Sequence, residues 1–265
     1  MLVHNFLEKS AEQFPDRKAV WYKDEWMTFS EIECESNKLA NFLVQIGIKK
    51  GDRIALLFEN SFKYVIAYYA ILKSGAVTVA LNTDQTEDSM QYLLKHSDAT
   101  ALIAQNKYLS ILKQVQKDLP DLQYVIAAEK ITENLKAKSF HWEEAMQEQS
   151  EVPPVITGLI DLDLASIVYT SGSTGEPKGV TLRHINIVTN TRSIVEYLEL
   201  TNEDRIMVVL PFYYIYGKSL LNTHFFVGGS VVLDNRFTFP SVILQTMQKT
   251  KVPDFQVFPP LLQSC

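Results

Sequence analysis

The stretch YTSGSTGEPKGV, Tyr169 to Val180, sets four small hydroxyl residues, three glycines and one lysine directly behind an apolar run. Ala165, Ile167, Val168 and Tyr169 read as the end of a buried strand that stops at Thr170, so the loop leaves the edge of a sheet. Gly172, Gly175 and Gly179 permit backbone angles that let amide N–H groups turn inward around an anion. Thr170, Ser171, Ser173 and Thr174 add hydroxyl donors, and Lys178 adds a positive charge on a long stem. Polyphosphate fits that donor set. The plainer alternative is a flexible Gly/Ser loop, which Lys178 and the adjoining strand weigh against.

Two other phosphate loops fail on spacing. The Walker pattern needs Gly-Lys-Ser/Thr, but Pro177 precedes Lys178 and Gly179 follows it. The dinucleotide pattern needs Gly-x-Gly-x-x-Gly, and Thr174 stands where its second glycine belongs.

At these residues the chain resembles the AMP-forming adenylating enzymes, which include acyl-CoA synthetases, luciferases and peptide-synthetase adenylation domains. Their Thr/Ser/Gly-rich loop ends Pro-Lys-Gly, as here. Similar segments follow the same order: MTFSEI at Met27 to Ile32, LKSGAVTVALN at Leu72 to Asn82, and LPFYYIYG at Leu210 to Gly217. The resemblance implies carboxylate activation by ATP and Mg²⁺, giving an acyl adenylate and then a CoA thioester. It implies that Thr170, Ser171, Gly172, Ser173, Thr174 and Gly175 wrap the ATP phosphates and that Lys178 adds catalytic charge. Tyr214 and Gly217 would border the acyl or pantetheine passage. Tyr214 occupies the family's usual histidine position, and a phenol with an ordinary pKa of about 10 is no general base near pH 7. Tyr213, Tyr214 and Tyr216 could equally be core aromatics.

The family's Tyr-Gly-x-Thr-Glu and Tyr-Arg-Thr-Gly-Asp segments do not occur in the 265 residues. The resemblance therefore implies the first part of the large N-terminal domain, residues 1–265, with the magnesium ligand and the mobile C-terminal domain elsewhere. It also leaves a different reading open, a catalytically silent fragment that binds nucleotide or another chain. Such a cut would leave apolar surface prone to self-association.

Strands alternate with helices, which predicts an α/β fold with mostly parallel sheets. Ser30 with Glu33 reads as a capping box, Ile32, Leu39, Leu43 and Ile46 as one helical face, and Gly47 as its stop. Arg53 to Phe58 and Val77 to Leu81 read as strands, with Phe62 to Leu72 between them as a helix whose Phe62, Val65, Ile66 and Tyr69 point inward. Residues 129–160 read as a variable connection, and Phe255 to Phe258 as extended. A helix starts near His184 and another covers Val242 to Met247; Ile206 to Leu210 and Val231 to Leu233 read as strands.

Hydrophobic residues make up 46%, enough for a sizeable core. The 25 Lys and Arg against 31 Asp and Glu give a net charge of −6, which argues against nucleic acid. No apolar run reaches about 18 residues and MLVHNFLEKS is no signal peptide, so a cytoplasmic protein is expected. Cys34, Cys265 and five scattered histidines make neither a disulfide framework nor a metal site.

Overall fold

The computed structural model describes residues 1–170, 177–236 and 239–252. A helix, α1 (Asn5–Gln13), leads into a hairpin of β1 (Lys18–Tyr22) and β2 (Glu25–Thr28). The two turn residues, Lys23 and Asp24, have φ of 49° and 70°, a left-handed pair whose twist suits a tight hairpin. Helix α2 (Phe29–Gln45) follows at once.

The cap of α2 corrects the sequence reading. Thr28, two residues earlier than expected, accepts from the Glu31 amide at 3.2 Å, and Glu31 reaches back to the Thr28 amide at 2.7 Å. Glu33 is drawn elsewhere, to the buried Lys73 ammonium at 2.6 Å. Gly47, at φ +102°, ends the helix as expected: its amide bonds to Val44, and Ile48 bonds back to Leu43.

Then come β3 (Arg53–Leu57), α3 (Phe62–Lys73), β4 (Val77–Ala80), α4 (Glu87–His96), β5 (Ala99–Ala104), α5 (Leu109–Val115) and β6 (Tyr124–Ala127). Residues 129–160 contain β7 (Lys138–His141) and α6 (Trp142–Met146). The irregular stretch after α6 is laid along α2 by asparagines. Asn37 donates to the Glu151 carbonyl at 2.8 Å, and Asn41 to those of Ser150 and Val152 at 3.0 and 2.8 Å.

The remaining elements are β8 (Leu164–Thr170), β9 (Lys178–Arg183), α7 (His184–Leu198), β10 (Arg205–Val208), α8 (Ile215–Val227), β11 (Ser230–Leu233) and α9 (Pro240–Thr250). Strand β9 was not foreseen from sequence; it pairs antiparallel with β8, so a hairpin precedes the helix at His184. The expected extension at Phe255 to Phe258 lies outside the described residues.

Two sheets form. The larger has the order β7-β6-β5-β3-β4-β8-β9, parallel apart from β9. The smaller has the order β10-β11-β1-β2, in which only the β1–β2 pair is antiparallel. Among the described residues, alternating side chains build three cores. Ile54, Leu56, Ala101 and Ile103 from the larger sheet meet Val20, Val231 and Leu233 from the smaller through α1, α2, α3 and α8. On the outer face of the larger sheet, Ala55, Leu57 and Leu102 pack on α4 and α5. On that of the smaller, Trp21, Met207 and Val232 pack on α9.

This layering buries α3 almost all round, including Tyr64 and Tyr68 as well as the expected Val65, Ile66 and Tyr69, while Phe62 is half-buried. No described helix is long and apolar enough to cross a membrane.

Candidate functional site

The β8–β9 hairpin presents its loop at the carboxyl end of β8, the end at which β3 and β4 also finish. Open parallel sheets bind ligands on that side. Thr170 and Lys178 sit opposite one another in register and both are exposed. Ser171, Gly172, Ser173, Thr174 and Gly175 lie outside the described residues.

Both arms of the hairpin are tied to α4. The Tyr169 hydroxyl lies 2.9 Å from His96 Nδ1, and Tyr92 donates to the Pro177 carbonyl at 3.1 Å. Partial burial pushes the Tyr169 phenol up to about 12, so it stays protonated. A Cβ on Gly179 would lie 3.1 Å from Ile167 and 3.4 Å from the Tyr169 ring, so glycine lets that ring lie close.

The Leu210 to Gly217 segment is held from β3. Asn60, buried just past the end of that strand, donates to the Leu210 carbonyl at 2.9 Å and accepts from the Phe212 amide at 2.8 Å. Phe212 is fully buried against Tyr64. Tyr213 is half-buried and Tyr214 is 51% exposed, with ring centres 4.5 Å apart, so Tyr214 is not a core aromatic. Burial and the neighbouring Tyr214 push the Tyr213 phenol up to about 12, and the Thr83 side chain beyond β4 also contacts it. Gly217 is buried; a Cβ there would sit 2.6 Å from the Pro211 carbonyl oxygen and 2.9 Å from that of Leu210. Glycine thus allows α8 to close against its own lead-in.

Two neighbouring cavities lie along α8, the first of them against the hairpin. One, of about 200 Å³, is bordered by Ser166, Val168, Leu182, Asn186, Lys218 and Asn222. The other, of about 320 Å³, is mostly apolar, with Ile194, Leu198, Ile206 and Leu220 in its wall. They share Asn190, Ile215 and Ser219. The sequence reading missed Asn60, Ser166 and Lys218. A signal for the last was present: Lys218, Leu221, Asn222 and Phe225 fall at i, i+3, i+4 and i+7, a buried stripe carrying a lysine.

Among the described residues no three His, Cys, Asp or Glu side chains gather as a metal site.

The family model for AMP-binding enzymes matches residues 7–265. The chain is 32% identical to the 2-succinylbenzoate–CoA ligase of Bacillus licheniformis, over 90% of this chain and 46% of that protein. It is 30% identical to a long-chain-fatty-acid–CoA ligase of Bacillus subtilis, over 94% of this chain and 49% of that protein. The structure of O-succinylbenzoate coenzyme A synthetase (MenE) from Bacillus subtilis, in complex with AMP, superposes with a TM-score of 0.79 at 27% identity. That superposition covers 98% of this chain and 63% of that one. The chain spans about half the length of the curated relatives it matches. With a match over nearly its whole length and the mixed α/β fold of these ligases' N-terminal domain, the chain belongs to the AMP-binding enzyme family.

Proposed function

We propose that this chain forms the phosphate-holding and acid-holding part of an ATP-dependent acid–CoA ligase. In that reaction a carboxylate oxygen attacks the α-phosphorus of ATP, the bond to the bridging oxygen breaks, and pyrophosphate leaves. The sulfur of coenzyme A then attacks the acyl carbon, the thiol gives up its proton, and AMP leaves with the electrons of the mixed-anhydride C–O bond.

The observation that carries this reading is the shared strand β8. It leads into the hydroxyl- and glycine-rich loop at its carboxyl end, while Ser166 and Val168 on the same strand border a cavity that shares Asn190, Ile215 and Ser219 with the apolar one. A loop for phosphates and a room for an acyl group are thereby held on one rigid element. Thr170 with Ser171, Gly172, Ser173, Thr174 and Gly175 would hold the β- and γ-phosphates, and Lys178 would neutralise charge building on the departing pyrophosphate. Tyr214 would border the entrance to the acyl cavity, with Gly217 keeping its lead-in closed. Tyr213, protonated at neutral pH, contributes a donor and a ring face rather than a base. ATP is used as its magnesium complex in such chemistry. The relatives' names, for a long-chain fatty acid and for 2-succinylbenzoate, set the first acids to try.

The test is acid-dependent exchange between ATP and labelled pyrophosphate, over a panel of fatty, aromatic and dicarboxylic acids, with full-length protein. Lys178→Ala should lower exchange at least about tenfold, in line with loss of one charge-stabilising group. Undiminished exchange in that variant would remove Lys178 from the phosphate site.

A further inference from the structure

Lys218 is 4% exposed, and its ammonium lies 3.5 Å from the Ser166 hydroxyl and 5.4 Å from the centre of the Tyr68 ring. Among the described residues no carboxylate reaches it. Lys73, equally buried, shows the ordinary solution: its ammonium is paired with Glu33 at 2.6 Å and Glu8 at 3.3 Å. An ammonium taken out of water without a counter-charge is unfavourable, and burial alone lowers Lys218 to about 7. Such a group is maintained where something charged arrives to meet it.

The surroundings are prepared for an anion. Asn186, Asn190, Ser219 and Asn222 border the cavity with Lys218, and none carries a negative charge. Tyr68 donates to Asn222 Oδ1 at 3.4 Å, and Thr78 donates to Ser166 at 3.0 Å, which orients the neutral dipoles around the lysine. The neighbouring apolar cavity shares three residues with this one, so a hydrocarbon segment and a polar terminus could be held together.

Position decides which end of the acid this would be. Ser166 lies four residues before Thr170 on β8, roughly 13 Å along an extended strand. A carboxylate at Lys218 therefore lies most of a strand's length from Thr170 and Lys178, the described ends of the loop, and the reacting carboxylate is assigned nearer to them. Resting on the ligase reading above, we propose that Lys218 and its cavity receive a second, non-reacting carboxylate of the substrate, so that the enzyme selects dicarboxylic acids over monocarboxylic ones. Lys218 is then a specificity residue.

The experiment compares octanedioate with octanoate in ATP–pyrophosphate exchange, using wild-type full-length protein, Lys218→Met and Lys218→Arg. Wild type should favour octanedioate by about tenfold or more in kcat/KM, because a buried polar site rejects an analogue lacking its partner. Lys218→Met should reverse that preference through a raised KM for octanedioate while octanoate is used as well or better; this also reports that the variant folds. Lys218→Arg should retain part of the preference. A preference unchanged in Lys218→Met, or equal loss for both acids, overturns the proposal while leaving the ligase reading intact. If no acid supports exchange, the ligase reading fails, and thermal unfolding with each acid decides the subsite separately. A rise in Tm with octanedioate in wild type, absent in Lys218→Met, supports the anion site; equal shifts for both acids overturn it.

Discussion

Replacing Lys218 by Met should make the protein more stable, by an amount that shrinks as the pH is raised. Lowering the lysine from its ordinary 10.5 to about 7 corresponds to about 5 kcal/mol at 1.36 kcal/mol per pH unit. Below pH 7 both folded and unfolded chains carry the charge, and the full cost falls on the fold. Between about 7 and 10.5 the unfolded chain binds more protons than the folded one, so stability rises with pH and the cost fades. Methionine has similar length, no charge and adaptable packing, so part of that cost is recovered, about 2 to 4 kcal/mol near pH 7.

The groups facing the ammonium do not confuse the reading. They are Ser166 and Thr78 from the sheet, Tyr68 from α3, Asn186 and Asn190 from α7, and Asn222 from α8. Of these Tyr68 alone titrates, and burial holds its phenol well above the ordinary range. Urea unfolding of both proteins, from pH 6 to pH 10, gives the difference directly, and contributions common to both cancel. The gap should be largest at the acid end and shrink by about 2 to 3 kcal/mol by pH 9. A gap independent of pH, or a less stable methionine variant throughout, would refute the reasoning.

Other outcomes follow from the same geometry. Asn60→Leu removes both polar contacts to the Leu210–Phe212 backbone and should lower stability by about 2 to 4 kcal/mol in urea unfolding; an unaffected midpoint would show that those backbone groups find other partners. Gly217→Ala places a methyl against the Leu210 and Pro211 carbonyls and should cost about 1 to 3 kcal/mol, read as a lowered Tm. His4 and His184 are held neutral, each lowered to about 4 by burial, and His184 Nδ1 accepts from the Val3 amide at 3.1 Å. Their folded values lie below the unfolded 6.5, so stability should fall as pH drops from about 6.5 toward 4, by a few kcal/mol. His184→Gln should flatten that acid limb, and an unchanged limb would exclude His184.

The sequence made the larger sheet legible because its parallel strands are short apolar runs punctuated by capped helices, as at Arg53 to Phe58 and Val77 to Leu81. Gly47 announced the end of α2 because a positive φ there favours glycine. The α2 cap was displaced because Thr28 and Ser30 both offer a hydroxyl three residues before a glutamate; the buried Lys73 claims Glu33 and so selects Thr28. Strand β9 stayed hidden because Lys178 to Arg183 is largely exposed and lacks an inward apolar row. The smaller sheet joins β1 to β11 across some two hundred residues, a pairing no local pattern announces. The motifs singled out Lys178 and Tyr214, which the structure leaves exposed at the start of β9 and just before α8. Lys218 was passed over, because one lysine on an apolar helix reads as solvated until β8 and α3 are found against that face.

The central claim is that the β8–β9 loop and the cavities along α8 serve one reaction, activation of a carboxylic acid by ATP. Acid-dependent ATP–pyrophosphate exchange tests it most directly, measured on full-length protein with and without acid and with Lys178→Ala as control. The account predicts exchange that requires a carboxylic acid and drops at least about tenfold in the variant. Exchange absent with every acid of the panel, or equally fast without any acid, would contradict it.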